Sequence, residues 1–376
     1  MKVEVLQETL TRGLSIIHPA IQSRNVLQVL GNVLVATDEG RLRLSATDLE
    51  LGITAWIGAK IEEEGTTTVP FKTFSELVGT LPDPKVSLNL DTDKQLLTIR
   101  SGSSTNDVKC IDAQEFPPLP VPDFSDAILL NVVDFREMVQ QVAFAASTDE
   151  ARPVLMGVLL KVDGDKVTMA AADGFRLSVR TATLSSPVVT PISVIIPSKA
   201  LQNLARIAST TEEPIQMVLP KGRGQVVFRV KDVELTSQLI DGTFPDYQQI
   251  IPRGHKSRTL VPTAALLKAC KQAEIFAREG TNVVRLDIRT SGELTPAQVE
   301  ISAQSEGTGK NETLVEATVD GIPLLIAFNV KYMREVLEVV RSPNVAIETS
   351  APNAPGVIRP VGDESFLHVI MPMHLG

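Results

Sequence analysis

The feature that most constrains this 376-residue chain is that it repeats itself. Leu30-Gly31-Asn32-Val33-Leu34 matches Leu155-Met156-Gly157-Val158-Leu159. Leu42 to Asp48 matches Val167 to Asp173, and Glu115-Phe116-Pro117 matches Thr243-Phe244-Pro245. The three landmarks keep one register, 125 to 128 residues apart, so the chain is internally duplicated. A fainter third copy places Val284-Arg285-Leu286-Asp287-Ile288 in the slot of the Gly31 and Gly157 strands. Val299 to Ala303 takes the slot of the strands ending in Asp48 and Asp173. Leu367 to Met373 is expected where the first two copies have their Phe-Pro segments. Solenoid repeats run to roughly 20–50 residues, so units this long are whole domains.

Each copy carries two amphipathic helix patterns, with apolar residues at i, i+3, i+4 and i+7. They are Leu6, Leu10, Leu14, Ile17, Ile21 and Phe74, Leu77, Val78, Leu81 in the first copy. The second has Phe135, Met138, Val139, Val142, Ala146 and Leu201, Leu204, Ala205, Ala208. The third has Leu266, Cys270, Ala273, Ala277 and Val330, Met333, Leu337, Val340. Pro70, Pro197 and Pro262 stand near helix starts. Short alternating strands fill the intervals, as at Leu96–Arg100, Val226–Val230 and Glu234–Leu239. The runs 117–122 and 251–254 read as stiff connectors. The expected fold class is α+β, with three tandem domains at 1–119, 126–250 and 255–376.

Apolar residues make up 43% and aromatics only 4%, so the cores must be aliphatic. No apolar run approaches a membrane helix, and Met1 to Val5 alternates like a strand instead of forming a signal-peptide core. A cytoplasmic protein is expected. Cys110 and Cys270 have no metal-ligand spacing and read as buried thiols in a reducing compartment.

The net charge of −9 argues against nucleic acid only if charge is spread evenly. The six helix patterns together with Arg24 hold twelve basic and six acidic residues, a net of +6 against −15 elsewhere. Lys268, Lys271 and Arg278 share a helix face, as do Lys199 and Arg206. One charged helix face is usually just solvated, but a bias shared by six helices suggests a surface for phosphates, read without sequence.

Motifs for nucleotide binding, metal ligation and nucleophilic hydrolysis are missing, and the four histidines lack ligand spacing. Asp48 and Asp173 recur as a matched pair, which reads as two strand ends capping turns, not as a catalytic dyad. Gly174 is placed to take positive φ in the turn Asp173 to Leu177.

Five ordered segments resemble the β subunit of bacterial DNA polymerase III, the sliding-clamp family. They are Arg152 to Gly157, Ala172 to Leu177, Asp241 to Tyr247, Phe328 to Tyr332 and Val369 to Leu375. The resemblance spans the chain. It implies two protomers joined head to tail in a six-domain ring, with helices lining the hole and sheets outside. The implied partners are duplex DNA, a second copy, the polymerase α subunit, the clamp-loader δ subunit, other DNA polymerases, ligase and mismatch-repair proteins. No membrane, cofactor or catalytic activity is implied, and the expected place is the nucleoid.

Carried over, the DNA-facing set is Arg24, Lys72, Lys199, Arg206, Lys268, Lys271 and Arg278. The protomer interface is Asn106, Val108, Ile275 and Phe276. A partner-peptide groove is implied at Leu155, Ala172, Gly174, Phe175, Arg176 and Leu177, with Pro245 and Ile250. Its other side is Asn329, Tyr332, Val369, Met371, Pro372, Met373 and Leu375. Leu and Met walls adapt to leucine and phenylalanine side chains, while Arg176 and Asn329 are expected to hold peptide polar groups. Departures from the family pattern are Phe175 for a histidine, His374 for an arginine, Asn106 for a large apolar residue and Asp149 for a polar one. Two other readings are a monomeric adaptor that binds only proteins and a hydrolase centred on Asp48 or Asp173.

Overall fold

The computed structural model describes all residues except 22–26, 223, 293–294 and 375–376. Arg24 and Leu375 therefore lie outside the described residues.

Two α-helices fall in each copy, as the apolar spacing predicts. They are α1 (Gln7–Ile17), α2 (Phe71–Thr80), α3 (Val132–Val142), α4 (Ser198–Ile207), α5 (Thr263–Ala277) and α6 (Val330–Val339). In α1 the stripe Leu10, Gly13, Leu14 and Ile17 is buried. Pro70 and Pro262 are the residues just before α2 and α5. A proline there lacks only an N–H that the first turn leaves unpaired in any case. The patterns overran the helices at their ends. Leu6 closes the strand Lys2–Leu6, and Ile21 follows the short 3-10 turn His18–Ala20, where Pro19 cannot continue the α-helical bonding. Ala146 and Ala208 likewise fall outside α3 and α4.

The chain packs into two compact units, Met1–Val133 with Asn203–Leu239, and Asp134–Gln202 with Ile240–Gly376. The middle repeat is thus divided. The first unit holds a five-stranded sheet ending at the edge strand Ser104–Lys109. It also holds an eight-stranded sheet in which Val233–Gln238, the last strand of copy two, ladders onto Leu51–Ile57 of copy one. The second unit repeats the device. Phe366–Ile370, the last strand of copy three, ladders onto Arg176–Arg180 at the start of the long strand Arg176–Pro197. Its second sheet, of four strands, ends at the edge strand Gly309–Glu316.

These pairings correct the expected place of the C-terminal segment. Met373 donates its backbone N–H to Ala327 at 2.8 Å, as Ile240 does to Ile195 at 2.9 Å and Ile111 to Thr68 at 3.1 Å. Met371 to Met373 is therefore the counterpart of the segments before Phe116 and Phe244, not of the Phe-Pro segments themselves. Apolar spacing alone could not show this, because both stretches alternate.

Asp48 and Asp173 cap turns as read. Asp48 accepts from the backbone of Glu50 and Leu51 at 3.0 and 2.7 Å, and Asp173 from Phe175 and Arg176 at 2.9 and 3.0 Å. Gly174 has φ +94°, a region that glycine enters without strain. Cys270 is buried, and burial pushes its pKa up to about 12; Cys110 is only partly buried.

Candidate functional site: a partner-peptide groove

In the second unit the turn after Ala172 brings Phe175 to the surface, 58% exposed. The carbonyl of Phe175 accepts the Met371 N–H at 2.8 Å, so the tail leaves its ladder pinned beside this aromatic ring. On the far side Asn329 caps α6, its Oδ1 accepting from the N–H groups of Lys331 and Tyr332 at 3.0 and 3.4 Å. The cap fixes Tyr332 in the first turn of α6. Between these elements opens a pocket of about 950 Å³. Phe175, Asn329, Tyr332, Met371, Pro372 and Met373 all line it, with His374.

Other groove residues are placed differently. Ala172, Leu177 and Val369 are buried in a core with Phe244 and Tyr247, so they back the site and do not face solvent. Leu155 is half-buried. Pro245 is exposed but does not line this pocket. Ile250 lines a separate hollow with Ser350 and Pro355. Gly174 does not line this pocket; an added Cβ there would lie 3.1 Å from Arg152.

Arg176 does not fit the expectation that it holds peptide groups. Its guanidinium is buried, and its Nε donates to Asp173 at 3.0 Å. Its other nitrogens donate to Glu335 and, at 2.7 Å, to the carbonyl of Phe144. It also lies 4.2 Å over the Tyr332 ring. Every arm is used inside the unit, so Arg176 is a positioning residue that ties α6 to the Asp173 turn. Asn329, which lines the pocket, keeps an amide nitrogen as a donor.

The pocket also runs past the expected residues, over the outer face of the four-stranded sheet. There Val283, Arg285 and Asp287 alternate with buried Val284, Leu286 and Ile288. Glu300, Ser302 and Glu312 continue the face on the neighbouring strands. The strict alternation from Val283 to Arg289 carried this signal, but polar outward positions read as ordinary solvated surface.

Lys72, Lys199, Lys268, Lys271, Arg206 and Arg278 are all exposed. Lys271 pairs with Glu338 at 3.0 Å, and Arg278 with Glu279 at 3.6 Å. Arg206 donates to Asn203 at 3.1 Å. With the observed bounds the helices hold nine basic and seven acidic residues, a net of +2, because Asp134 joins α3, Arg278 and Arg341 fall outside, and Arg24 is not among the described residues. The charge contrast is therefore smaller than the sequence patterns suggested. Of the interface set, Val108 is buried at 7% exposure within its own unit, while Ile275 is 52% exposed. Asn106 is half-buried, and Phe276 packs partly against the core of the second unit.

Three family models match the chain in order. The DNA polymerase III beta subunit N-terminal domain matches residues 1–120, the central domain 129–246 and the C-terminal domain 248–374. The beta sliding clamp of Synechococcus elongatus is 33% identical over 378 residues, covering 100% of both chains. That of Bacillus subtilis is 32% identical, covering 99% of both. The crystal structure of the B. subtilis sliding clamp superposes with a TM-score of 0.94 at 29% identity over 100% of both chains. A Pseudomonas aeruginosa clamp bound to griselimycin gives 0.91 at 26% identity, also over 100% of both. With three clamp domains in sequence and a fold shared end to end, the chain belongs to the DNA polymerase III beta subunit family, the bacterial beta sliding clamps.

Proposed function

We propose that two copies of this chain close head to tail around duplex DNA and act as a processivity clamp without chemistry of their own. The observation that carries the reading is the laddering of each repeat onto the previous one through its last strand. A chain built this way ends in one donor edge, Ser104–Lys109, and one acceptor edge, Gly309–Glu316. Those edges are heterologous, and two copies close if three domains make half a turn. Duplex DNA is held by encirclement. Lys72, Lys199 and Lys268, exposed and without an ion pair among the described residues, contact phosphates weakly enough to allow sliding.

The groove beside Phe175 takes apolar tails of the replicative polymerase, the clamp loader and repair factors. Its Met and Tyr lining supports that reading, since flexible thioethers repack around leucine and phenylalanine.

The test combines light scattering with retention on nicked circular DNA. A dimer that stays on circles and is lost when they are linearised is expected. Equal retention on linear DNA rejects encirclement, and a monomer that is not retained on DNA favours a protein-only adaptor.

A further inference from the structure

We infer that each joint between protomers is an antiparallel ladder in the register that sets Asn106 of one against the partner's Asn311, closing an amide–amide hydrogen bond inside the seam. This rests on the head-to-tail reading above.

The register comes from the two joints inside the chain. In the first, Leu235 pairs with Ile53. In the second, His368 pairs with Ser178. Leu235 and His368 are each the third residue of the last strand of a copy, Val233–Gln238 and Phe366–Ile370. Ile53 and Ser178 are each the third residue of the receiving strand, Leu51–Ile57 and Arg176–Pro197. The third residue of Ser104–Lys109 is Asn106, and that of Gly309–Glu316 is Asn311. Directly opposed residues share a face, and a slip of one residue would turn both side chains to the other side.

The chemistry of the free protomer agrees. Leu235, Ile53, Ser178 and His368 are all buried in their joints. Asn106 and Asn311 are only half-buried. Oδ1 of Asn311 is shielded from solvent yet has no donor among the described residues. A buried acceptor without a donor is costly, and a turn of the half-buried Asn311 side chain toward the seam gives it one. Asn106 uses one amide hydrogen on Ser104 Oγ at 2.9 Å and has a second to give.

A neighbouring side chain fits the same frame. In the second internal joint Phe144, just past α3, stacks on His368 with ring centroids 5.5 Å apart. The buried stripe Phe135, Met138, Val139, Val142 of α3 corresponds to Leu266, Ala269, Cys270, Ala273 of α5. Ile275 therefore takes the place of Phe144, and it is solvent-exposed in the protomer. In the ring it covers the partner's Asn106.

At this position the three joints carry an aliphatic pair, a Ser–His hydrogen bond of 2.6 Å, and an amide pair. The amide pair is the one that water replaces most readily.

Two measurements test this. In the full-length protein carrying Asn106→Cys and Asn311→Cys, mild oxidation should give a covalently closed dimer on a denaturing gel. Asn106→Cys with Glu312→Cys, one residue out of register, should not. Cross-linking through position 312 in preference to 311, or through neither in a protein that is dimeric by light scattering, overturns the register. A monomer by light scattering overturns the ring reading itself. For the hydrogen bond, Asn106→Ala and Asn311→Ala should each weaken the dimer about tenfold per joint, and together no more than either alone. Additive losses would show two independent contacts and reject the pair.

Discussion

The backbone N–H of Met371 reaches the carbonyl of Phe175 at 2.8 Å, and Gln238 reaches Glu50 at the same distance. One bond closes the corner of both internal joints. At Met371 the chain then lines an open pocket. Deleting Met371 to Gly376 removes this bond and the one from Met373 to Ala327. Fluorescence anisotropy with a Leu/Phe-rich tail peptide should show binding lost, while light scattering still gives the dimer.

Arg176 is predicted to matter for stability first. Replacing it with Ala leaves the buried Asp173 and the half-buried Glu335 without their shared cation. A loss of about 3–5 kcal/mol is expected in urea unfolding. Arg176→Lys should recover little, because one ammonium cannot serve Asp173, Glu335 and the Phe144 carbonyl together. A near-neutral Arg176→Ala would contradict the geometry.

His368 predicts an acid-sensitive fold. Burial pushes its pKa down to about 3, from an ordinary value of 6.5. The unfolded chain takes up a proton below pH 6.5 that the folded chain refuses until about 3, so stability is complete above 6.5 and falls as pH falls between the two. The slope for one such group is about 1.4 kcal/mol per pH unit. His368→Gln should flatten the stability profile between pH 6 and pH 5, above the range where most carboxylates titrate.

DNA retention should separate the cations by their partners. Charge reversal at Lys72, Lys199 and Lys268 is expected to shorten residence on nicked circles and to reduce the salt dependence. Lys271→Glu should act mainly through the loss of its 3.0 Å pair with Glu338. That exposed pair contributes at most about 1 kcal/mol. Equal effects from all four would point to bulk charge alone.

Asn106→Leu combined with Asn311→Leu should copy the Leu235–Ile53 joint. A tighter dimer is expected, measured by dilution in analytical ultracentrifugation.

The repeat was legible because strands ending in Asp48 and Asp173 need the same side chain for the same backbone job. Helix positions were legible because their buried stripes are aliphatic and regular. Helix ends were not, since Leu6 and Ile21 continue the spacing without the hydrogen bonds. The groove's open lining at Phe175, Tyr332 and Met371 followed from matching segments. What Arg176 does with its donors was hidden, because Glu335 and Phe144 are remote in sequence and only folding brings them to it. The pairing of Lys271 with Glu338 was hidden for the same reason.

The division of the middle repeat has a consequence for how the molecule comes apart. Evolutionary units end at the connectors, but the ladders Val233–Gln238 with Leu51–Ile57 and Phe366–Ile370 with Arg176–Arg180 run across them. Excising 126–250 would strip a neighbour from an edge at both ends and should yield an aggregating fragment. Cooperative melting blocks should follow the two compact units, so calorimetry of this threefold chain is expected to resolve two transitions, not three.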